Sequence, residues 1–108
     1  MGSSEIYAQN QRIIDSLEHS LGIENSDTVK VEILNCLSVE FRKGEYDKAF
    51  NHAKEARELA EATNFNKGLA DAINNQGIIY YHKGNYSEAL AHYEKALKIR
   101  NQINDEKE

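Results

Sequence analysis

The sequence predicts an all-α chain built from repeated pairs of antiparallel helices, and three observations carry that expectation. Proline is absent from all 108 residues, a loss that helical chains tolerate best because proline breaks helix interiors. Apolar residues recur at three- and four-residue steps, and no stretch alternates apolar with polar as a half-buried strand does. The third observation is an internal repeat. Displaced by 40 positions, Lys43-Gly44-Glu45-Tyr46 falls on Lys83-Gly84-Asn85-Tyr86, and Ile33, Asn35, Ala49, His52 and Ala56 fall on Ile73, Asn75, Ala89, His92 and Ala96.

A lone helix opens the chain, from Ser4 to Leu21, with Ile6, Tyr7, Ile13, Ile14, Leu17 and Leu21 on its apolar face and Gly22 ending it. The run Glu24-Asn25-Ser26-Asp27-Thr28 is rich in N-capping residues and restarts the chain. The first helix pair carries Val31, Leu34, Leu37 and Phe41 up to Gly44, then Ala49, Phe50, Ala53, Ala56 and Ala60, closing at Asn64 to Asn66. In the second pair Ile73, Gly77, Tyr80 and Tyr81 lead to Gly84. Ser87-Glu88 then opens a helix striped by Ala89, Leu90, Tyr93, Ala96, Leu97 and Ile103. The glycine after each first helix is expected to take the left-handed conformation that satisfies the last carbonyls. Small residues at fixed places let helix backbones approach closely, and Gly77 is expected to face Ala89 with Tyr80 and Tyr93 around it. The resulting organisation is a leader and N-terminal capping helix over 1–27, one unit over 28–67, a second over 68–103 and a disordered tail over 104–108.

Composition excludes several function classes. With 18 acidic against 13 basic residues and a formal charge of −5, the chain lacks the clustered cations that nucleic acid demands. Its apolar runs fall far short of the roughly 20 residues that cross a bilayer, so neither nucleic acid nor membrane is an expected partner. A single cysteine rules out an intramolecular disulfide framework and a multi-cysteine zinc site. Cys36 is expected to be a small buried side chain on a helix; no neighbouring base marks it as a catalytic thiol. His52 and His92 lie 40 apart on second helices, with no histidine four residues away. Zinc needs three or four convergent ligands, so these read as exposed helix histidines and no metal is expected. No phosphate-cradling glycine loop and no Ser/His/Asp set is present. Neither catalytic residues nor a cofactor are expected.

The segment from Ala72-Ile73-Asn74-Asn75-Gln76-Gly77 through Tyr80, Gly84, Tyr86, Ala89, Tyr93 and Ala96 resembles a tetratricopeptide repeat. In that family's order come a small residue, an aromatic three on, then Gly, Tyr, Ala, an aromatic and Ala; Ile73, Gln76 and Asn101 depart from it. The first unit matches less well. Leu37 takes the small-residue site, Glu40 the aromatic site and Ala53 the later aromatic site, with Phe41, one step on, standing in for the missing ring. The period of 40 exceeds the family's usual length of about 34. Such repeats are also similar to those attached to bacterial sensor kinases and transcription regulators.

The resemblance implies a right-handed α-solenoid of two repeats plus a capping helix, a non-catalytic scaffold whose first helices line a concave groove for a peptide or protein. Carried over by position, that groove comprises Val31, Leu34, Asn35, Ser38, Phe41 and Arg42 in the first unit. In the second it comprises Asp71, Asn74, Asn75, Ile78, Tyr81 and His82. Asn35 and Asn75 occupy the same position, where an amide either holds a ligand's backbone or bonds the neighbouring helix. A chaperone-type clamp for a terminal carboxylate is not expected, because Leu34 and Ser38 stand where it needs lysine and asparagine. At the other end of the array, Leu90, Leu97, Ile99 and Ile103 cannot all face inward. They imply either a piece of a longer array or a self-association face that makes a homo-oligomer.

Overall fold

The computed structural model describes the backbone of residues 2–106 and the side chains of residues 8–105. Five helices follow one another: α1 (Gly2–Ile23), α2 (Asp27–Phe41), α3 (Tyr46–Ala62), α4 (Asn66–His82) and α5 (Tyr86–Glu106), with no strand among the described residues. Two expectations at the ends change. Gly2 to Ser4 belong to α1, and α5 carries on to Glu106, so the expected tail is helical over 104–106. Met1, Lys107 and Glu108 lie outside the described residues, as do the side chains of Ile6 and Tyr7.

Local chemistry accounts for the helix ends. Ser26 caps α2: its hydroxyl accepts from the Val29 N–H at 3.4 Å, while the Glu24 carboxylate accepts from the Ser26 N–H at 3.0 Å. At the end of α3 Asn64 takes a φ of 55°, and the Phe65 N–H reaches back to the Ala60 carbonyl at 2.9 Å. Gly84 does the same after α4, with a φ of 82° and a bond from the Asn85 N–H to the Tyr80 carbonyl at 2.9 Å. These are the left-handed terminations that glycine and asparagine tolerate best. Gly44 does not share that conformation, contrary to expectation. There the Glu45 N–H returns to the Phe41 carbonyl at 2.7 Å, closing a shorter turn.

The shorter turn changes how the repeats align. The second helices, α3 and α5, match at a displacement of 40: Ala49 with Ala89 and Ala56 with Ala96 are buried in both. His52 and His92 each place Nδ1 at 2.8 Å from the carbonyl four residues earlier. The first helices match at 39. Phe41 stacks on His52 with centroids 5.0 Å apart, and Tyr80 meets His92 at the same 5.0 Å with its ring tilted. Leu34 and Ile73 are buried counterparts, and so are Leu37 and Gln76. The small-residue site of the first unit is therefore Ser38, not Leu37, and its hydroxyl donates to the Ala49 carbonyl at 2.8 Å. Gly77, its counterpart, faces Tyr93 and His92 rather than Ala89: a Cβ there would lie 3.0 Å from the Tyr93 ring.

Packing runs in order along the chain. Each helix touches its successor, and α2 also touches α4, whereas α3 and α5 make no contact among the described residues. Ala49, Ala53, Ala56 and Ala60 form a fully buried stripe that lets α3 lie close to its neighbours. Leu37, Ile73, Ile79 and Val31 are the largest sealed apolar side chains, each contributing about 1.5–3 kcal/mol from burial. Ile14 of α1 is 3% exposed and joins Leu37, Phe41, Ala49 and Ile79 in one cluster, so α1 seals the amino-terminal side of the first pair. The slab measures 49 × 36 × 22 Å.

Candidate interaction groove

Because α2 and α4 lie side by side, their outward faces form one continuous surface. A cleft of about 300 Å³ opens along it, walled by Glu32, Cys36 and Val39 of α2 and by Asp71 and Asn74 of α4. Ile78 is half-buried on the same helix stripe as Asn74, and Tyr81, one turn further on, is 53% exposed. At the near end Arg100 of α5 closes onto Asp71 at 2.9 Å, and Lys67 approaches the same carboxylate at 3.9 Å.

The residues expected in the groove divide by unit. In the second, Asp71, Asn74, Ile78, Tyr81 and His82 are at least partly open to solvent. His82 turns toward the first unit, stacking on Tyr46 with centroids 6.0 Å apart. In the first, Val31, Leu34, Ser38 and Phe41 are core residues, at most 8% exposed. A surface partner cannot reach them. The groove face of α2 is instead Glu32, Cys36 and Val39, which the alignment at 40 missed. A shift of 39 finds Glu32 beneath Asp71 and Val39 beneath Ile78.

Asn35 and Asn75 resolve in favour of the neighbouring helix. The Asn75 amide donates to the Asn35 side-chain oxygen at 3.2 Å, and the Asn35 amide donates to the Gly68 carbonyl at 3.2 Å. Arg42 completes the chain, donating to the Asn75 oxygen at 3.5 Å. Both asparagines are nearly sealed, at 9% and 7% exposure, so their bonds tie α2 to α4. Close approach is possible there because Gly68 has no side chain; a Cβ would sit 2.5 Å from a Val31 methyl.

Cys36 is exposed within the groove rather than buried. Desolvation by the surrounding groove walls raises its thiol above the ordinary value, and the carboxylates of Glu32 and Glu40 add to the effect. Glu40 is itself engaged by Lys43 and by the Asn10 amide at 3.3 Å. No buried side-chain polar atom lacks a partner among the described residues. Nor does any group of three or more His, Cys, Asp or Glu gather as metal ligands there. Among the described residues no helix is long and apolar enough to cross a membrane.

At the far end of the stack the four residues expected to form an apolar face separate. Leu90 and Leu97 are each 58% exposed, whereas Ile99 and Ile103 are half-buried.

Stacked helix pairs with a solvent-open wall of first helices define a helical-repeat protein of the solenoid class. The chain belongs to the tetratricopeptide repeat family, whose model matches residues 38–102, more than half of its length. Repeats of this family generally mediate protein–protein interaction, and the family is typically a non-catalytic scaffold. No curated protein and no solved structure matched the chain.

Proposed function

We propose that the chain is a non-catalytic module that receives a segment of a protein partner along the face shared by α2 and α4. The observation that supports this most is the row of accessible side chains on two adjacent first helices. Val39, Ile78 and Tyr81 offer apolar grips, and among the described residues the Asn74 amide has no hydrogen bond and the Glu32 carboxylate no ion pair. Such a row suits a peptide whose apolar side chains fill the cleft while Asn74 meets its backbone. Along the cleft the cations Lys67 and Arg100 are matched by two carboxylates, Asp71 and Glu32, so charge alone is not the basis of selection.

The test begins with peptides selected from a displayed random library on the purified chain. Their affinities are then measured by calorimetry for the parent and for the double variant Asn74→Ala, Ile78→Glu, with circular dichroism confirming the fold. A loss of at least about tenfold, or about 1.4 kcal/mol, is expected. Equal affinity for the folded double variant would remove the groove as the site.

A further inference from the structure

The helices α1 and α3 both rest on α2, yet no Cα of one comes within 8 Å of the other among the described residues. A furrow of about 560 Å³ runs between them, lined by Leu21, Lys30, Glu55, Glu58, Leu59 and Ala62 above the nearly sealed Leu34. It lies on the opposite side of α2 from the groove, because Lys30 and Leu34 are turned by about 200° from Glu32 and Cys36. Leu21 and Leu59 stay only half-buried in it, and Ala62 is exposed. Glu55 and Glu58, one turn apart on α3, are also exposed and have no ion pair among the described residues. Lys30 is the one cation among the lining residues, and it pairs with neither.

The charge of the furrow belongs to this unit and not to the repeat. Displaced by 40, Ala56 and Ala60 keep a place in α5 as Ala96 and Arg100, whereas Glu55 and Glu58 fall on Lys95 and Lys98. Helix stacking therefore tolerates either sign at these two positions, and the carboxylates are left to select what lies against them. A further helix at either end of the stack would lie beyond α1 or α5 and leave the furrow open, since each helix packs on its predecessor. A second copy would meet it against the mutual repulsion of two chains that each carry a charge of −5, which draws a basic segment instead. We infer that the furrow receives a basic, aliphatic-rich segment of a partner protein. Its leucine-sized side chains lie against Leu21 and Leu59, and its lysine or arginine side chains meet Glu55 and Glu58. The site is independent of the groove between α2 and α4.

The probe is a short fluorescent peptide of lysine, leucine and alanine, titrated with the full chain at about 0.15 M salt and followed by anisotropy. At that salt the screening length is about 8 Å, so attraction to the overall charge is damped and close pairs dominate. Saturable binding is expected, at least about tenfold weaker for the Glu55→Lys, Glu58→Lys chain and for a peptide with glutamate in place of lysine. Ala62→Trp fills the apolar end without changing charge and is expected to cost at least about tenfold as well. Glu88→Lys with Glu94→Lys makes the same change in net charge on α5 and is expected to bind as the parent does. All five substituted side chains are exposed, and circular dichroism confirms that each variant folds. Equal losses in the two charge-reversed chains overturn the inference, as does unchanged affinity for either furrow variant or the absence of saturation up to about 1 mM. A dimer in sedimentation that Glu55→Lys, Glu58→Lys dissolves and that excludes the peptide also overturns it, because the occupant is then a second copy of the chain. The Asn74→Ala, Ile78→Glu chain is expected to bind the peptide as the parent does; a loss there assigns the peptide to the groove and overturns the furrow as its site.

Discussion

Replacing Gly68 by alanine tests the closest approach in the stack. On an isolated helix the change gains up to about 1 kcal/mol, and less here because Gly68 is the third residue of α4. Against that gain, the new Cβ would lie 2.5 Å from a Val31 methyl and 2.7 and 2.8 Å from the edge of the Phe65 ring. Phe65 is half-buried and can turn aside, but Val31 is fully sealed and has nowhere to go. Overpacking of this kind costs about 1–3 kcal/mol. Pushing α4 away from α2 also strains the bond from the Asn35 amide to the Gly68 carbonyl, worth about 1 kcal/mol. The expected net loss is about 1–3 kcal/mol, read as a lower urea midpoint at unchanged slope. Gly22→Ala, with nothing within 4 Å of its Cβ, is the control and is expected to lose nothing. Combining Gly68→Ala with Val31→Ala should cost less than the two changes added, by at least about 0.5 kcal/mol, because one vacates the space the other needs. A midpoint that rises for Gly68→Ala, or strict additivity with Val31→Ala, would refute the close-approach argument.

Two further outcomes bear on the turns and the groove. Gly84→Ala should destabilise by about 1–2 kcal/mol because its φ is left-handed, whereas Gly44→Ala should not; thermal unfolding of the two variants side by side checks this, and equal losses would contradict the shorter first turn. Cys36 should react with iodoacetamide at about pH 8 more slowly in the folded chain than in urea, and Glu32→Gln should speed the folded reaction. The sign follows from a raised folded pKa: folding is favoured while the thiol is protonated, and that contribution fades as pH rises through the raised value.

Much of the fold was legible because its signals are local. The absence of proline, the helical spacing and the capping run at Glu24 to Thr28 located five helices, and the small residues marked where they approach. The ends were less legible. Whether α1 begins at Gly2 or Ser4, and whether α5 stops at Ile103 or runs to Glu106, depends on fraying equilibria that a few polar residues barely bias. Gly68 escaped notice for another reason. Its contact with Val31 joins α2 to α4, and nothing in the neighbouring sequence announces a partner so distant in the chain.

The groove was half legible, and the cause is geometric. One residue on an α-helix turns the side chain by about 100°, so aligning α2 on α4 at 40 rather than 39 swings every predicted position away from the open face. That rotation carried Leu34, Ser38 and Phe41 into the core and left Glu32, Cys36 and Val39 unrecognised in the cleft. The identical Lys-Gly-x-Tyr turns favoured 40 because they lie beyond the place where the first turn is one residue shorter, and adjacent asparagines at 74 and 75 let Asn35 match at either shift. The physical markers of the inner face favoured 39: a small residue at Ser38 and Gly77, and a ring three residues later at Phe41 and Tyr80. The ring at 41, one step past Glu40, was the visible sign of the slip. Packing requirements decide a helix's register more firmly than identity between loops, since a loop absorbs an extra residue at little cost and a close-packed face does not.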